Sequence, residues 1–254
     1  VHFDSLTDSG SMTWTLPGPS GTLLNHRPFN SSDSFDFGAP LMSLGPGAYT
    51  LMVDANDDVI GNYGFRLLDA AAAVAITPGT PVNGALSPAT ESDLYRFEGV
   101  AGDLYYINIT TGIGNGTFRL VDLYNNVLIS TNLNADTGTF ALPRTGTYVL
   151  VLEGRRDSGS GSSNYSLIVQ PVAPSVVTPL TIGSTVNGTI AITGESDLFT
   201  FTLAQTTRVH FDSLTDSGSM TWTLPGPSGT LLNHRPFNSS DSFDFGAPLM
   251  SLGP

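Results

Sequence analysis

The sequence predicts an all-β protein: tandem antiparallel β-sandwich domains, jelly-roll-like, of about 104 residues each and of two alternating types. Three observations predict it. Short runs alternate apolar and polar residues with a period of two and are bounded by Gly, Pro, Asn and Asp. The chain carries 28 Gly and 17 Pro but only 12% charged residues, the composition of many strands joined by turns. It also repeats itself, exactly at one offset and approximately at half of it.

The exact repeat is Val1–Pro46, which recurs letter for letter as Val209–Pro254, 208 residues on. At half that offset, 104 residues, "GTPVNGALSPATESDLYRF" from Gly79 aligns with "GSTVNGTIAITGESDLFTF" from Gly183, with nine of nineteen positions identical. One unit has therefore diverged into types A and B. Residues 75–178 hold a complete type A sandwich with its linker. Residues 1–74 hold the C-terminal part of a type B sandwich, and 179–254 the N-terminal part of the next, with 1–46 identical to 209–254. Neither end piece is a whole sandwich on this reading, and the expectation is a continuous array in which both are views of one domain.

In type A the alternation marks "DLYRFEG", "LYYINIT", "TFRLVDLY", "TYVLVLE" and "NYSLIVQ" as strands. Tyr95, Phe97, Tyr105, Ile107, Ile109, Phe118, Leu120, Tyr148, Leu150, Leu152, Tyr165, Leu167 and Val169 should face inward. Type B repeats the pattern with Phe199, Phe201, Tyr49, Leu51, Val53, Tyr63, Phe65 and Leu67. About eight strands in ~100 residues suits a two-sheet sandwich. Val149 and Val151 are apolar on the outer side, which implies either a central strand or a contact between domains. "DAAAAVAI" (Asp69 to Ile76) reads as a linker, because its counterpart "PVAPSVVTP" carries three prolines that cannot continue a helix.

The net charge is −13, with 22 acidic residues, nine arginines and no lysine. Such a surface repels phosphate backbones, so nucleic acid is not an expected partner. No apolar run approaches the roughly 20 residues of a membrane span, so membrane insertion is not expected either. With no cysteine there is no disulfide framework, thiolate metal site or cysteine nucleophile.

Four elements occur in the same order in both types: the "G-x-V-N-G" strand start, "ESD-L-Y/F-x-F", the strand entry Gly146-Thr147-Tyr148 or Gly47-Ala48-Tyr49, and the last strand at Asn164-Tyr165 or Asn62-Tyr63. Together they resemble bacterial pre-peptidase C-terminal domains, and the chain is similar to a tandem array of them. That resemblance implies a secreted, prokaryotic, jelly-roll-like module with an accessory or stalk role and no catalysis of its own. Collagen-binding modules of secreted proteins are similar and bind calcium, but their ligands do not map onto this sequence residue by residue.

Candidate sites are few. "DANDD" places Asp54, Asn56 and Asp58 at the alternate positions that begin a calcium loop. Val59 stands where the loop glycine is needed and Phe65 where the bidentate glutamate would stand, so an Asp/Asn-rich turn without metal is the plainer reading. No other cofactor is expected. The repeated "ESD" at Glu91 and Glu195 reads as turn closure before a strand. His2 and Asp4 alternate outward beside Val1 and Phe3, and a triad of Asp4, His2 and Ser9 or Ser11 can be drawn, but no oxyanion site accompanies it. The "DSG" inside that segment also occurs at Asp157, where a solvated loop explains it. Sequons at Asn30 (and its copy Asn238), Asn108, Asn115, Asn164 and Asn187 would carry glycans on an exported chain. Tyr106 and Tyr124 are aromatics that a carbohydrate partner could stack on if exposed.

These readings predict a non-enzymatic structural repeat of an extracellular filament or surface stalk, partnered by copies of itself. The alternative is a binding module for collagen, polysaccharide or a cell surface.

Overall fold

Most period-two segments become paired strands in the computed structural model, which describes residues 1–31, 40–154, 161–241 and 249–253; His2–Ser5 is a strand, whereas its identical copy at 210–213 is not. These fall into two units, Val1–Ser175 with Thr189–Ser196, and Val176–Gly188 with Asp197–Pro254. Asp157 lies outside the described residues.

The first unit contains two hydrophobic cores. One is built by β1 (His2–Ser5), β2 (Met12–Gly18), β3 (Gly21–Pro28), β4 (Met52–Ala55) and β5 (Phe65–Leu68). β1 pairs antiparallel with β5, and β2 lies between β3 and β4. Phe3, Met12, Trp14, Leu16 and Phe29 form the buried centre, with Phe3 stacked on Trp14 at 3.9 Å and on Phe65 at 5.1 Å between ring centroids. Tyr63 and Leu67, expected inward, are instead 54% and 45% exposed. They lie beside or on the outer strand of a two-stranded sheet, whose rim the core does not cover.

The second core belongs to β6 (Val74–Ala75), β7 (Pro81–Leu86), β8 (Ser92–Gly99), β9 (Leu104–Thr111), β10 (Thr117–Val121), β11 (Val127–Asn132), β12 (Phe140–Ala141), β13 (Gly146–Glu153) and β14 (Ser163–Val172). A five-stranded sheet, β11-β10-β13-β8-β6, faces a four-stranded sheet, β12-β9-β14-β7. Between them lie the alternating residues read from the sequence, among them Phe97, Ile107, Phe118, Leu120, Tyr148, Leu150, Leu152, Tyr165 and Leu167. This is an antiparallel β-sandwich. The linker Asp69 to Ile76 is ordered: Asp69 accepts from the Ala71 amide at 2.9 Å, one 3-10 turn spans Ala70–Ala72, and Val74 pairs parallel with Tyr95.

Two motif glycines have a steric reason. A Cβ on Gly84, the last residue of "V-N-G", would strike the Tyr165 hydroxyl, and Gly146 at the strand entry has φ +150, where a side chain is strained. The following tyrosine closes the same corner in both types. Tyr148 donates to the Arg144 carbonyl at 2.6 Å and Tyr49 to that of Gly45 at 2.9 Å.

The second unit contains β15 (Val177–Pro179), β16 (Leu198–Thr200), β17 (Thr207–Val209), β18 (Thr221–Gly226), β19 (Gly229–Pro236) and β20 (Met250–Leu252). It keeps the 104-residue register: Thr178 pairs parallel with Phe199, as Val74 pairs with Tyr95. It also keeps the 208-residue register. Trp222 is opposite Arg235 as Trp14 is opposite Arg27, and Phe211 stacks on Trp222 at 3.9 Å. Phe199, expected inward, is 43% exposed, since β15 and β16 form only a two-stranded sheet.

Candidate functional site: a junction between two sandwiches

The most developed polar site lies where the two cores of the first unit meet. Alternation along β1 turns Phe3 into its own core and sends His2 and Asp4 to the opposite side. That side is not solvent, as the sequence alone suggested. His2 is 1% and Asp4 0% exposed; His2 meets the Pro40 carbonyl, and Arg66 ties Asp4 to the second sandwich. β5 places Arg66 directly across from Asp4, on the same covered face.

The Arg66 guanidinium joins the two sandwiches. Its Nε donates to Asp4 Oδ2 at 2.7 Å, its Nη2 donates to the Ser92 carbonyl at 2.5 Å, and its Nη1 lies 3.2 Å from Glu91 Oε2. Burial raises the Asp4 carboxyl above the ordinary aspartate range, and Arg66 partly opposes that rise. His2 Nδ1 lies 2.9 Å from the Pro40 carbonyl, which can only accept, so Nδ1 carries the proton. His2 Nε2, Asp4 Oδ1, Thr90 Oγ1 and Ser92 Oγ are buried around the junction without a hydrogen-bond partner among the described residues.

Beside the polar clamp runs an apolar seam. Leu94, Val121, Val149 and Val151 on the outer face of the five-stranded sheet pack with Ala73 and against Leu41, Leu68 and Ala70. This explains why β13 reads apolar on both sides: Leu150 and Leu152 fill the sandwich, and Val149 and Val151 fill the seam. On the same outer face Arg119 and Glu153 form an ion pair of 2.8 Å, with side chains 8% and 3% exposed. Asn125 adds a hydrogen bond from its amide to the Leu41 carbonyl at 2.7 Å.

The "ESD" motif divides its labour residue by residue. Glu91 Oε1 accepts from the Ser87 amide at 2.8 Å, which closes the turn, while its other oxygen faces Arg66. Ser92 supplies the carbonyl to Arg66, and Asp93 accepts from the Tyr165 hydroxyl at 2.6 Å. Burial, followed by that carboxylate, holds the Tyr165 hydroxyl far above the ordinary tyrosine range. In the second copy, Glu195 Oε2 closes the equivalent turn from the Ala191 amide at 2.6 Å. A second contact follows the same plan, since the Thr139 hydroxyl donates to the Gly194 carbonyl at 2.9 Å, and Gly194 lies against Tyr106.

The other candidates do not converge. Asp4 binds Arg66 rather than orienting His2, and Ser9 Oγ accepts from the Met12 amide at 3.0 Å, so the triad's members are not brought together. Asp54, one residue before the end of β4, accepts on its Oδ1 from the Ala55 amide at 2.8 Å, and Asn56 and Asp58 are exposed in the turn that follows. Among the described residues no group of three His, Cys, Asp or Glu side chains could hold a metal. Asn115, Asn164 and Asn187 are exposed, whereas Asn30 and Asn108 are half-buried. Tyr106 is half-buried, with its hydroxyl on Asp136 at 3.1 Å, while Tyr124 is 69% exposed with the Arg144 guanidinium 4.8 Å from its ring centre.

Arg66 is the residue that reading the sequence passed over. Its signal was an arginine at an outward position where type A has Ile168, across from an aspartate on a neighbouring strand. No helix of the described residues is long and apolar enough to cross a membrane.

No protein-family model and no curated protein matches the chain. Among solved structures it is similar to the periplasmic inhibitor of g-type lysozyme from Aeromonas hydrophila, at 17% identity over 39% of this chain and 95% of that one, with a TM-score of 0.35. The same inhibitor from Salmonella Typhimurium matches at 18% identity over 39% of this chain and 96% of that one, with a TM-score of 0.32. The pre-peptidase C-terminal domain of a Bacillus anthracis collagenase matches at 25% identity over 39% of this chain and 94% of that one, with a TM-score of 0.32.

Proposed function

We propose that the chain is a structural repeat of an extracellular filament or surface stalk built from tandem β-sandwiches of two alternating types. The observation that carries this reading is the junction. A seam of buried and half-buried apolar side chains and an ion-paired arginine, itself 34% exposed, fixes one sandwich on the next, which is what an array needs to stay straight under load. The exact 208-residue repeat supports it, because the same hairpin and aromatic stack recur in both copies. A lysine-free, Ser/Thr-rich surface suits exposure outside the cell, since it gives trypsin-like proteases fewer sites.

A second reading, a binding module, rests on one observation. Tyr124 and Leu123 stand 69% and 63% exposed at the turn after β10, an amphipathic tip suited to a glycan or collagen. Negative-stain microscopy of the native material separates the two. Regular filaments are expected. Monodisperse particles that are pulled down by insoluble glycan or collagen, with no filaments at any concentration, would replace the first reading with the second.

A further inference from the structure

Two sheet edges of the first sandwich are open, and a segment of this same sequence has the pattern of strands that fit them. In the type A sandwich β13 lies between β10 and β8, and β14 between β9 and β7. Their counterparts keep only half of those neighbours. Among the described residues β4, aligned with β13 on the tyrosine corner, has β2 on one edge and nothing on the other. Likewise β5, aligned with β14 on Asn62-Tyr63 and Asn164-Tyr165, has only β1. Strands on the open edges would be counterparts of β7 and β8, and 104 residues on from those lie 185–190 and 196–203.

Those residues carry the opposite deficit. Their turns are already those of type A: Gly183 has φ +87 where Gly79 has +85, and the Ser184 amide donates to the Thr181 carbonyl as Thr80 does to Thr77. Glu195 closes its turn as Glu91 does. Between the turns the strands have no sheet to join. Among the described residues β16 has only β15 at its side, whereas β8 lies between β13 and β6, and 185–190 form no strand. Val186 and Ile190 are 44% and 41% exposed where Val82 and Leu86 are 8% and 0%. An open edge and an uncovered apolar strand of matching pattern are the two halves of a strand addition.

We infer that the open edges of β4 and β5 take a second copy of residues 183–203, supplied by the neighbouring repeat of the filament. This deepens the filament reading and rests on it. The register follows from type A. Tyr148 pairs with Phe97 and Leu150 with Tyr95, so Tyr49 pairs with Phe201 and Leu51 with Phe199. Tyr165 pairs with Gly84 and donates to Asp93, so Tyr63 lies over Gly188 with its hydroxyl on Asp197. The addition covers the rim that leaves Tyr63 and Leu67 exposed. It also leaves the turn of the donor segment where it is. In type A the turn at Glu91 meets Arg66 of the preceding sandwich while the flanking β7 and β8 pair within their own. The turn at Gly194 keeps its place on Tyr106 and Thr139 in the same way, and only the flanks 185–188 and 197–203 are offered.

The test adds a synthetic peptide of residues 183–203 to the full 254-residue chain and reads a binding isotherm together with amide hydrogen exchange. Saturable binding is expected, with new protection at the outward amides of Met52–Ala55 and Phe65–Leu68. Phe201→Arg in the peptide would bury an unpaired charge in the sandwich and should weaken binding about 100-fold or more. Gly188→Leu in the peptide should remove the protection of Phe65–Leu68, because Tyr63 needs bare backbone beneath it as Tyr165 does at Gly84. A peptide of scrambled sequence should neither bind nor protect. Negative-stain microscopy of the same chain separates the two readings. Filaments from a chain whose β4 and β5 stay unprotected by the peptide would overturn the strand addition and leave the filament reading standing. Binding in this register to a chain that forms no filaments would overturn the filament reading and leave the accepting edges standing.

Discussion

Arg66→Ala is expected to destabilise the first unit by about 3–5 kcal/mol at neutral pH, because it leaves Asp4 buried without its partner. The Asp4 side chain is 0% exposed beneath an Arg66 side chain that is 34% exposed. The Ser92 carbonyl and Glu91 lose a partner in the same step. Asp4→Asn, which removes the charge but keeps an acceptor for Arg66, should cost much less, about 1 kcal/mol. The dependence on pH has a definite sign. Burial raises Asp4's pKa in the folded state, so folding favours the protonated carboxyl and the charge penalty fades as pH falls through that raised range toward the ordinary aspartate value. Arg66 offsets the penalty in the wild type. The loss caused by Arg66→Ala should therefore be greatest at pH 7 and shrink on acidification. Denaturant unfolding at several pH values measures it, and a pH-independent loss below 1 kcal/mol would contradict the clamp.

The second large effect uses the exact repeat as its own control. Trp14 is 0% exposed and lies flat on Phe3, so Trp14→Ala should cost about 3–5 kcal/mol in lost transfer energy and cavity. Trp222 has the same sequence around it and the same stacking on Phe211, but it is only half-buried, and its ring nitrogen donates to Ser240 Oγ at 2.7 Å. Trp222→Ala should cost about 1–2 kcal/mol, in proportion to the smaller area withdrawn from water. The difference belongs to the isolated chain, where equal losses would contradict the difference in burial. In the assembled filament, where the repeat gives the two identical segments one environment, the two losses should become equal.

Local pattern carried the sandwich itself. The side-chain period of two fixed which residues of β8, β9, β10, β13 and β14 face the core, and Phe97, Ile107, Phe118, Leu150 and Leu167 are all there. It also flagged Val149 and Val151 as covered on the outside. Alternation assigns a side of a sheet and nothing more, so it could not say that the far side of β1 is closed by another sandwich. That is why His2 and Asp4 read as solvated and are buried. Arg66 was harder still. Its partners Glu91 and Ser92 lie in a different sandwich, and no local period links residues across a junction. The glutamate of "ESD" was legible as a turn closer, because Ser87 lies four residues away. Its second duty toward Arg66 was not.

The central claim is that one sandwich is fixed on the next and that the arrangement repeats every 208 residues. Its most direct test is a cryo-electron microscopy reconstruction of the native filament at side-chain resolution. The expected result is that advancing by one filament repeat lays Val1–Ser31 onto Val209–Ser239, with Arg66 between Asp4 and Glu91 at each junction of type B to type A. Two different folds for those identical segments, or sandwiches joined like loose beads with Arg66 in solvent, would contradict it.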